Sequence, residues 1–111
     1  MGYYLDHEKL DVYRFAIQFV VLADEIVEAL PRGRAYLADQ LRRAGSSIPL
    51  NIAEGAGEFM PTEKARFYRM AKRSATDCSS ILDILQASTA NRRTAVLQSQ
   101  RAFDPHCGYA N

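Results

Sequence analysis

Gln40-Leu41-Arg42-Arg43-Ala44-Gly45-Ser46-Ser47-Ile48-Pro49-Leu50-Asn51-Ile52-Ala53-Glu54-Gly55 is the stretch whose reading decides the fold. Together with Leu37, the apolar residues Leu41, Ala44, Ile48 and Ile52 recur at steps of three and four, which lines them along one face of a helix. Pro49 interrupts this pattern chemically. A proline inside a helix loses a backbone hydrogen bond and clashes four residues back, at a cost of about 3 kcal/mol. Either a new helix starts near Pro49, or one helix runs through with a kink. The apolar stripe stays in phase from Leu37 to Ile52, which favours the single kinked helix. Gly55 and Gly57 end it. This Gly-x-Gly has no strand before it and no phosphate-loop lysine, so it reads as a helix terminus.

On the N-terminal side, Val12, Phe15, Phe19, Leu22, Ile26 and Leu30 form a stripe on a helix from about Leu10 to Leu30, stopped by Pro31-Arg32-Gly33. On the C-terminal side, a helix opens near Pro61-Thr62, with Thr62 as N-cap and Glu63 in the first turn. Its stripe is Phe67, Met70 or Ala71, Ser74, Cys78, Ile81 and Leu85. Ser88 to Asn91 is a weak break, after which Ala95, Val96, Leu97 and Phe103 mark a last short helix from about Arg92, closed by Asp104-Pro105. There are no strand signals. Long helices with short connections predict antiparallel neighbours. The expectation is an all-α, antiparallel up-down four-helix bundle with a kinked second helix and a short or atypical fourth. It is one domain over residues 1–111, with its core at about 8–103 and a tail at 104–111.

The 111 residues carry 14 Lys+Arg against 13 Asp+Glu, and 48% are hydrophobic. A globally basic binder of the histone type and a disordered chain are both excluded. The near-zero total hides a gradient. Residues 1–30 hold six acids against two bases, a net of −4, and residues 31–111 hold twelve bases against seven acids, a net of +5. The two cysteines, Cys78 and Cys107, make no disulfide framework, and Cys78 falls in an apolar pattern, so a reduced, cytoplasmic protein is expected. Met1 to Asp11 carries no secretory-signal pattern, and no apolar run is long enough to cross a bilayer.

The Gln40-Leu41-Arg42-Arg43-Ala44 block followed by Ser47-Ile48-Pro49-Leu50-Asn51-Ile52-Ala53-Glu54-Gly55 resembles the signature of the 23S rRNA intervening-sequence proteins, also called four-helix bundle proteins. Leu10-Asp11-Val12-Tyr13 and Phe67-Tyr68-Arg69-Met70-Ala71-Lys72-Arg73-Ser74 agree with it, and the likeness covers about residues 8–87. It implies a left-handed up-down four-helix bundle that assembles as a ring-like homo-oligomer, with pentamers known. A related branch, the accessory proteins of diversity-generating retroelements, binds nucleic acid and a reverse transcriptase, which implies a partner protein in a nucleoprotein complex. The resemblance brings no catalytic residues. The chain departs from the pattern where members continue into a leucine-rich fourth helix, because Ala90 to Asn111 is polar and short.

Two charged faces carry the functional reading. With Phe67 as the core direction, Arg66, Arg69, Lys72 and Arg73 fall on the opposite half of the third helix, and Arg42 and Arg43 lie off the core stripe of the second. Such bases neutralise phosphates, and Arg makes forked contacts to them. Without interleaved aromatics, the contact would be directed at the nucleic-acid backbone. The same bases could instead form a solvated face or pair with acids of another subunit. Ile17 and Val21, continued by Asp24 and Glu28, form an outer face of the first helix suited to a head-to-tail subunit contact. Ser47, Pro49, Asn51, Glu54 and Gly55 read as a structural motif in which Asn51 and Glu54 satisfy backbone groups freed by Pro49 and by the helix end. His7 and the His106-Cys107 pair give no metal-ligand spacing. The expected function is a non-enzymatic homo-oligomeric scaffold, free of cofactors, that binds RNA or DNA phosphates. The alternative is an assembly module whose charged faces serve ring formation alone.

Overall fold

A computed structural model of the protein describes residues 7–102. Three α-helices follow one another: α1 (His7–Glu28), α2 (Ala35–Ala56) and α3 (Pro61–Ala102), with a single 3-10 turn (Arg32–Arg34) leading into α2. No strand occurs among the described residues. The chain divides into two compact units, residues 1–81 and 82–111.

In the first unit, α2 is continuous through Pro49, whose ring is buried. The in-phase apolar stripe therefore marks one helix. Leu41 is fully buried, with Leu37 and Ile52 on the same face. Ile52 clusters with Ala16 of α1 and Ala71 of α3, and Tyr13, Ile48 and Tyr68 pack around that cluster. On α3 the stripe holds as read, with Ala71 rather than Met70 pointing inward, followed by buried Cys78 and Ile81.

The packing face of α1 differs from the sequence expectation. Ala16, Ala23 and Val27 are buried, whereas Val12, Phe15 and Leu22 are 49%, 68% and 50% exposed. The core direction is turned by about a quarter of the helix circumference. A Cβ added at Gly45 of α2 would stand 3.7 Å from the Phe19 ring and 4.0 Å from the Ala23 Cβ. Gly45 of α2 thus faces both the small Ala23 and the edge of the Phe19 ring, at ordinary van der Waals distance.

Two helix boundaries also differ. Pro61 opens α3 at the first helical position, where its missing N–H is harmless, and the Lys64 amide already donates to the Met60 carbonyl. Thr62 is therefore inside the helix and is not its N-cap. The break expected at Ser88 to Asn91 is absent, and α3 runs unbroken to Ala102, so among the described residues three α-helices stand where four were expected. In the second unit, the Thr89 hydroxyl donates to the Leu85 carbonyl at 2.9 Å, so this polar stretch satisfies itself inside the helix. With no Gly or Pro there, nothing forces a stop. Met1–Asp6 and the tail from Phe103, including His106 and Cys107, lie outside the described residues.

Candidate nucleic-acid interface

The basic residues of α3 sit as the periodicity places them. Arg66, Arg69, Met70, Lys72, Arg73 and Thr76 line an open groove on its outer surface. They differ in what holds them. Arg66 donates from Nη2 to Glu63 Oε1 at 2.9 Å and from Nε to the same carboxylate at 3.2 and 3.3 Å. Its guanidinium also lies 4.6 Å from the Phe67 ring centre. The hydrogen bond from Arg66, then its charge, holds the Glu63 carboxyl below its ordinary value of 4.5, and the same bond raises the guanidinium pKa of Arg66. Arg69, Lys72 and Arg73 are exposed, and none of their side chains has a hydrogen-bond or ion-pair partner among the described residues. These three cations are the ones available to a phosphate.

The α2 arginines separate in the same way. Arg42 reaches back to α1, with Nε 3.5 Å from Asp24 and Nη2 3.6 Å from Glu28. One residue assigned to phosphate binding thus meets two assigned to a subunit interface, within one chain. The pairs are half exposed and loose, worth well under 1 kcal/mol each. Arg43 is exposed and unpaired among the described residues. Ile17 and Val21 are 42% and 55% exposed, as expected of an outer face.

The residues around Pro49 form a structural node. The Asn51 amide donates to the Ser47 carbonyl at 2.9 Å and to its hydroxyl at 2.8 Å, and the Ser74 hydroxyl of α3 donates to the Ser47 hydroxyl at 2.9 Å. The carbonyl that Pro49 leaves without its helical donor is that of Gly45, four residues back, so Asn51 serves a neighbouring group. Ser46 donates to the Arg42 carbonyl at 2.9 Å. The Glu54 residue is exposed, and its carboxylate makes no hydrogen bond among the described residues; only its backbone carbonyl takes part at the helix end, accepting from the Gly57 amide at 3.2 Å. The end of α2 is held instead by Lys64, whose ammonium donates to the carbonyls of Gly55 and Ala56 at 3.1 and 3.2 Å. Sequence reading missed Lys64. A lysine one turn into the next helix, behind a four-residue loop, was the available signal.

Gly55 has a packing role. A Cβ there would stand 2.6 Å from the Tyr68 ring, which lies under the Lys9 ammonium at 4.5 Å. The signature glycine thus lets α2 and α3 close on each other. The family model for 23S rRNA-intervening sequence protein matches residues 8–101, and so includes this node and the whole basic face. The chain belongs to the 23S rRNA-intervening sequence protein family. No curated protein and no solved structure matches it. Within this family member, no group of three His, Cys, Asp or Glu side chains that could hold a metal occurs among the described residues. No described helix is long and apolar enough to cross a membrane.

Proposed function

We propose that this 23S rRNA-intervening sequence family member is a non-enzymatic helical scaffold that binds nucleic-acid phosphates through the outer face of α3. The observation that carries this reading is the exposed trio Arg69, Lys72 and Arg73, with no partner among the described residues and lining one groove. Arg43 adds a further cation, whereas Arg66 and Arg42 contribute only by leaving Glu63 and the α1 acids. The residues lie at steps of three and four, so they follow one line along the helix and suit the regular charge of a nucleic-acid backbone. No base-reading chemistry accompanies them, so RNA and DNA bind with little sequence preference.

A homo-oligomer, with a pentamer as the family likeness suggests, is part of the proposal. Ile17 and Val21 supply its apolar contact, and Asp24 and Glu28 are able to exchange Arg42 for a base of the neighbouring subunit. The four-helix bundle and a cytoplasmic location, where the Cys78 thiol stays reduced, belong to the same proposal. A larger nucleoprotein complex is the setting such a scaffold fits. The second reading is an assembly module without nucleic-acid binding, favoured by the exposure of Ile17 and Val21 on α1.

Fluorescence anisotropy with a structured RNA and a single-stranded DNA separates the two. The native chain and an Arg69→Glu/Lys72→Glu/Arg73→Glu variant are titrated at low salt, with light scattering on both. Binding by the native chain, lost in a variant that keeps its mass, supports the phosphate reading. No binding, or a variant that falls to monomers, gives the face to assembly.

A further inference from the structure

The groove on the outer face of α3 offers more than charge. Its volume is about 550 Å³, within the roughly 300–1,000 Å³ of sites that take a drug-sized ligand. It has room for more than a bare phosphate. Met70 is the one large apolar side chain that lines it, and it is 39% exposed. The Met70 sulfur accepts a hydrogen bond from Arg66 Nη1 at 3.6 Å, and Arg66 is tied in turn to Glu63. Arg66 and Met70 therefore brace each other at the N-terminal end of the groove. Farther along, Arg69 and Arg73 line it one turn apart, both with unpaired guanidiniums, together with Lys72.

Like charges three and four residues apart destabilise a helix, and Arg69 stands at those steps from Lys72 and Arg73. Asp77, one turn beyond Arg73, makes no ion pair with it. Repulsion left uncompensated in this way suits a polyanion. Lysines would serve anions alone equally well. Arginine adds a planar guanidinium, which stacks on aromatic faces as well as forking onto phosphate. Two such planes beside a thioether, itself a favourable contact for an aromatic ring, make a platform for a flat π-system. A nucleobase with its phosphate supplies both halves of the match. In a duplex the base faces are already stacked on their neighbours, so only an unpaired strand can turn one into the groove. The acyl chains of a lipid would meet a single large apolar side chain there, too little surface to hold them.

We propose that the α3 groove seats an unpaired nucleobase, stacked on Arg69 and Arg73 and packed against Met70, so that this face selects single-stranded nucleic acid over duplex. This rests on the phosphate-binding reading of the same face and adds to it the class of strand that is bound. Lys72, a point charge without a plane, serves the phosphates alone. Every base has a π-face, so stacking selects unpaired strands without selecting their sequence.

The test uses the full chain and labelled probes of equal length at low salt: a mixed-sequence single strand, an abasic strand with the same phosphates, and a duplex. The native chain should bind the base-bearing strand roughly ten-fold more tightly than the abasic one. It should also prefer that strand to the duplex, although charge density alone favours the duplex. Arg69→Lys/Arg73→Lys keeps every charge but removes both planes, and should bring the ratio of base-bearing to abasic affinity close to one. Met70→Ala should lower that ratio by about three-fold. Phe59→Ser, which removes a ring that is 95% exposed outside the groove, should leave it unchanged. All four positions are exposed, and circular dichroism confirms that the variants keep the native helix content. Equal, salt-dependent binding of base-bearing and abasic strands would overturn the proposal and leave the phosphate reading standing, as would tighter binding of the duplex. No binding of any probe would end both. A ratio that survives Arg69→Lys/Arg73→Lys, or that Phe59→Ser abolishes, would put the stacking elsewhere and overturn the proposal. Phosphatidylglycerol vesicles bound as tightly as the base-bearing strand would overturn it too, by making an anionic lipid surface the occupant.

Discussion

The Arg42 guanidinium of α2 and the Asp24 carboxylate of α1 meet at 3.5 Å across the surface of the first unit, with Glu28 at 3.6 Å from the other end of the same guanidinium. The charge gradient along the chain is therefore partly closed within it, because an acid-rich first helix finds its counter-charge on the second. Arg42→Glu replaces two weak attractions with two repulsions. Because all three side chains are largely exposed, the expected loss of stability is about 1 kcal/mol or less, read as a small shift in the urea midpoint. Nucleic-acid affinity should fall less than for Arg69→Glu, since Arg42 is already engaged.

Gly55 is constrained by the Tyr68 ring and not by its backbone conformation. Gly55→Ala places a methyl group where the ring now lies, 2.6 Å away. Tyr68 is held by Lys9 on one side and by the core cluster on the other, so it does not swing away freely. A loss of about 1–3 kcal/mol is expected from overpacking, measured by chemical denaturation. Combining it with Tyr68→Ala should recover part of the loss, because the obstructing ring is then gone. A Gly55→Ala variant as stable as the native chain would contradict this packing.

Glu63 restrains Arg66. Its carboxyl titrates below its ordinary value because Arg66 hydrogen-bonds the charged form. The pair is therefore fully formed above the ordinary carboxylate pKa of 4.5, and is lost only as pH falls through the lowered one. At neutral pH, Glu63→Gln releases the arginine to the groove. Affinity for single-stranded RNA should then rise by about two- to five-fold at low salt, as measured by anisotropy. The same substitution should make that affinity less sensitive to acidification.

Cys78 is 2% exposed, and burial, with a smaller push from Asp77, raises its thiol pKa above 9.0. Since the thiolate is the reactive species, the folded protein should protect it. An alkylating reagent at pH 8 should modify Cys78 at a rate set by global opening, slower than in urea by a factor of roughly a thousand or more. Because the folded pKa is the higher one, stability falls as pH rises through the ordinary thiol range. Site-resolved mass spectrometry reads Cys78 separately from Cys107.

Much of this architecture is legible in the residues themselves. The in-phase stripe through Pro49 gives one continuous α2, and Phe67, Cys78 and Ile81 give the inward face of α3. The basic arc follows directly, since four charges at helical spacing opposite that face have nowhere else to point. The inward face of α1 is harder to read, because periodicity weighs large side chains whereas the buried positions are the small Ala16 and Ala23, with Val27. The extent of α3 fails for a different reason. A polar run such as Ser88 to Asn91 resembles a break until Thr89 is seen to bond within the helix. The pairings of Arg42 and Arg66 depend on which neighbouring carboxylate lies within reach. Composition does not carry that information, and it is this that leaves four of the six candidate phosphate ligands unpaired, Arg43 on α2 and Arg69, Lys72 and Arg73 on α3.

The central claim is that Arg69, Lys72 and Arg73 bind phosphates, and its most direct test is the salt slope of binding. Anisotropy titrations of a labelled single-stranded RNA over a range of salt concentrations give log K against log salt. Three phosphate contacts predict a slope near −2, from about −0.7 per contact on a single strand, so that a three-fold rise in salt weakens binding roughly ten-fold. Arg73→Gln should make the slope shallower by about one contact's worth, while light scattering shows an unchanged mass. A slope that is flat in the native chain, or that stays the same in Arg73→Gln, would contradict the account.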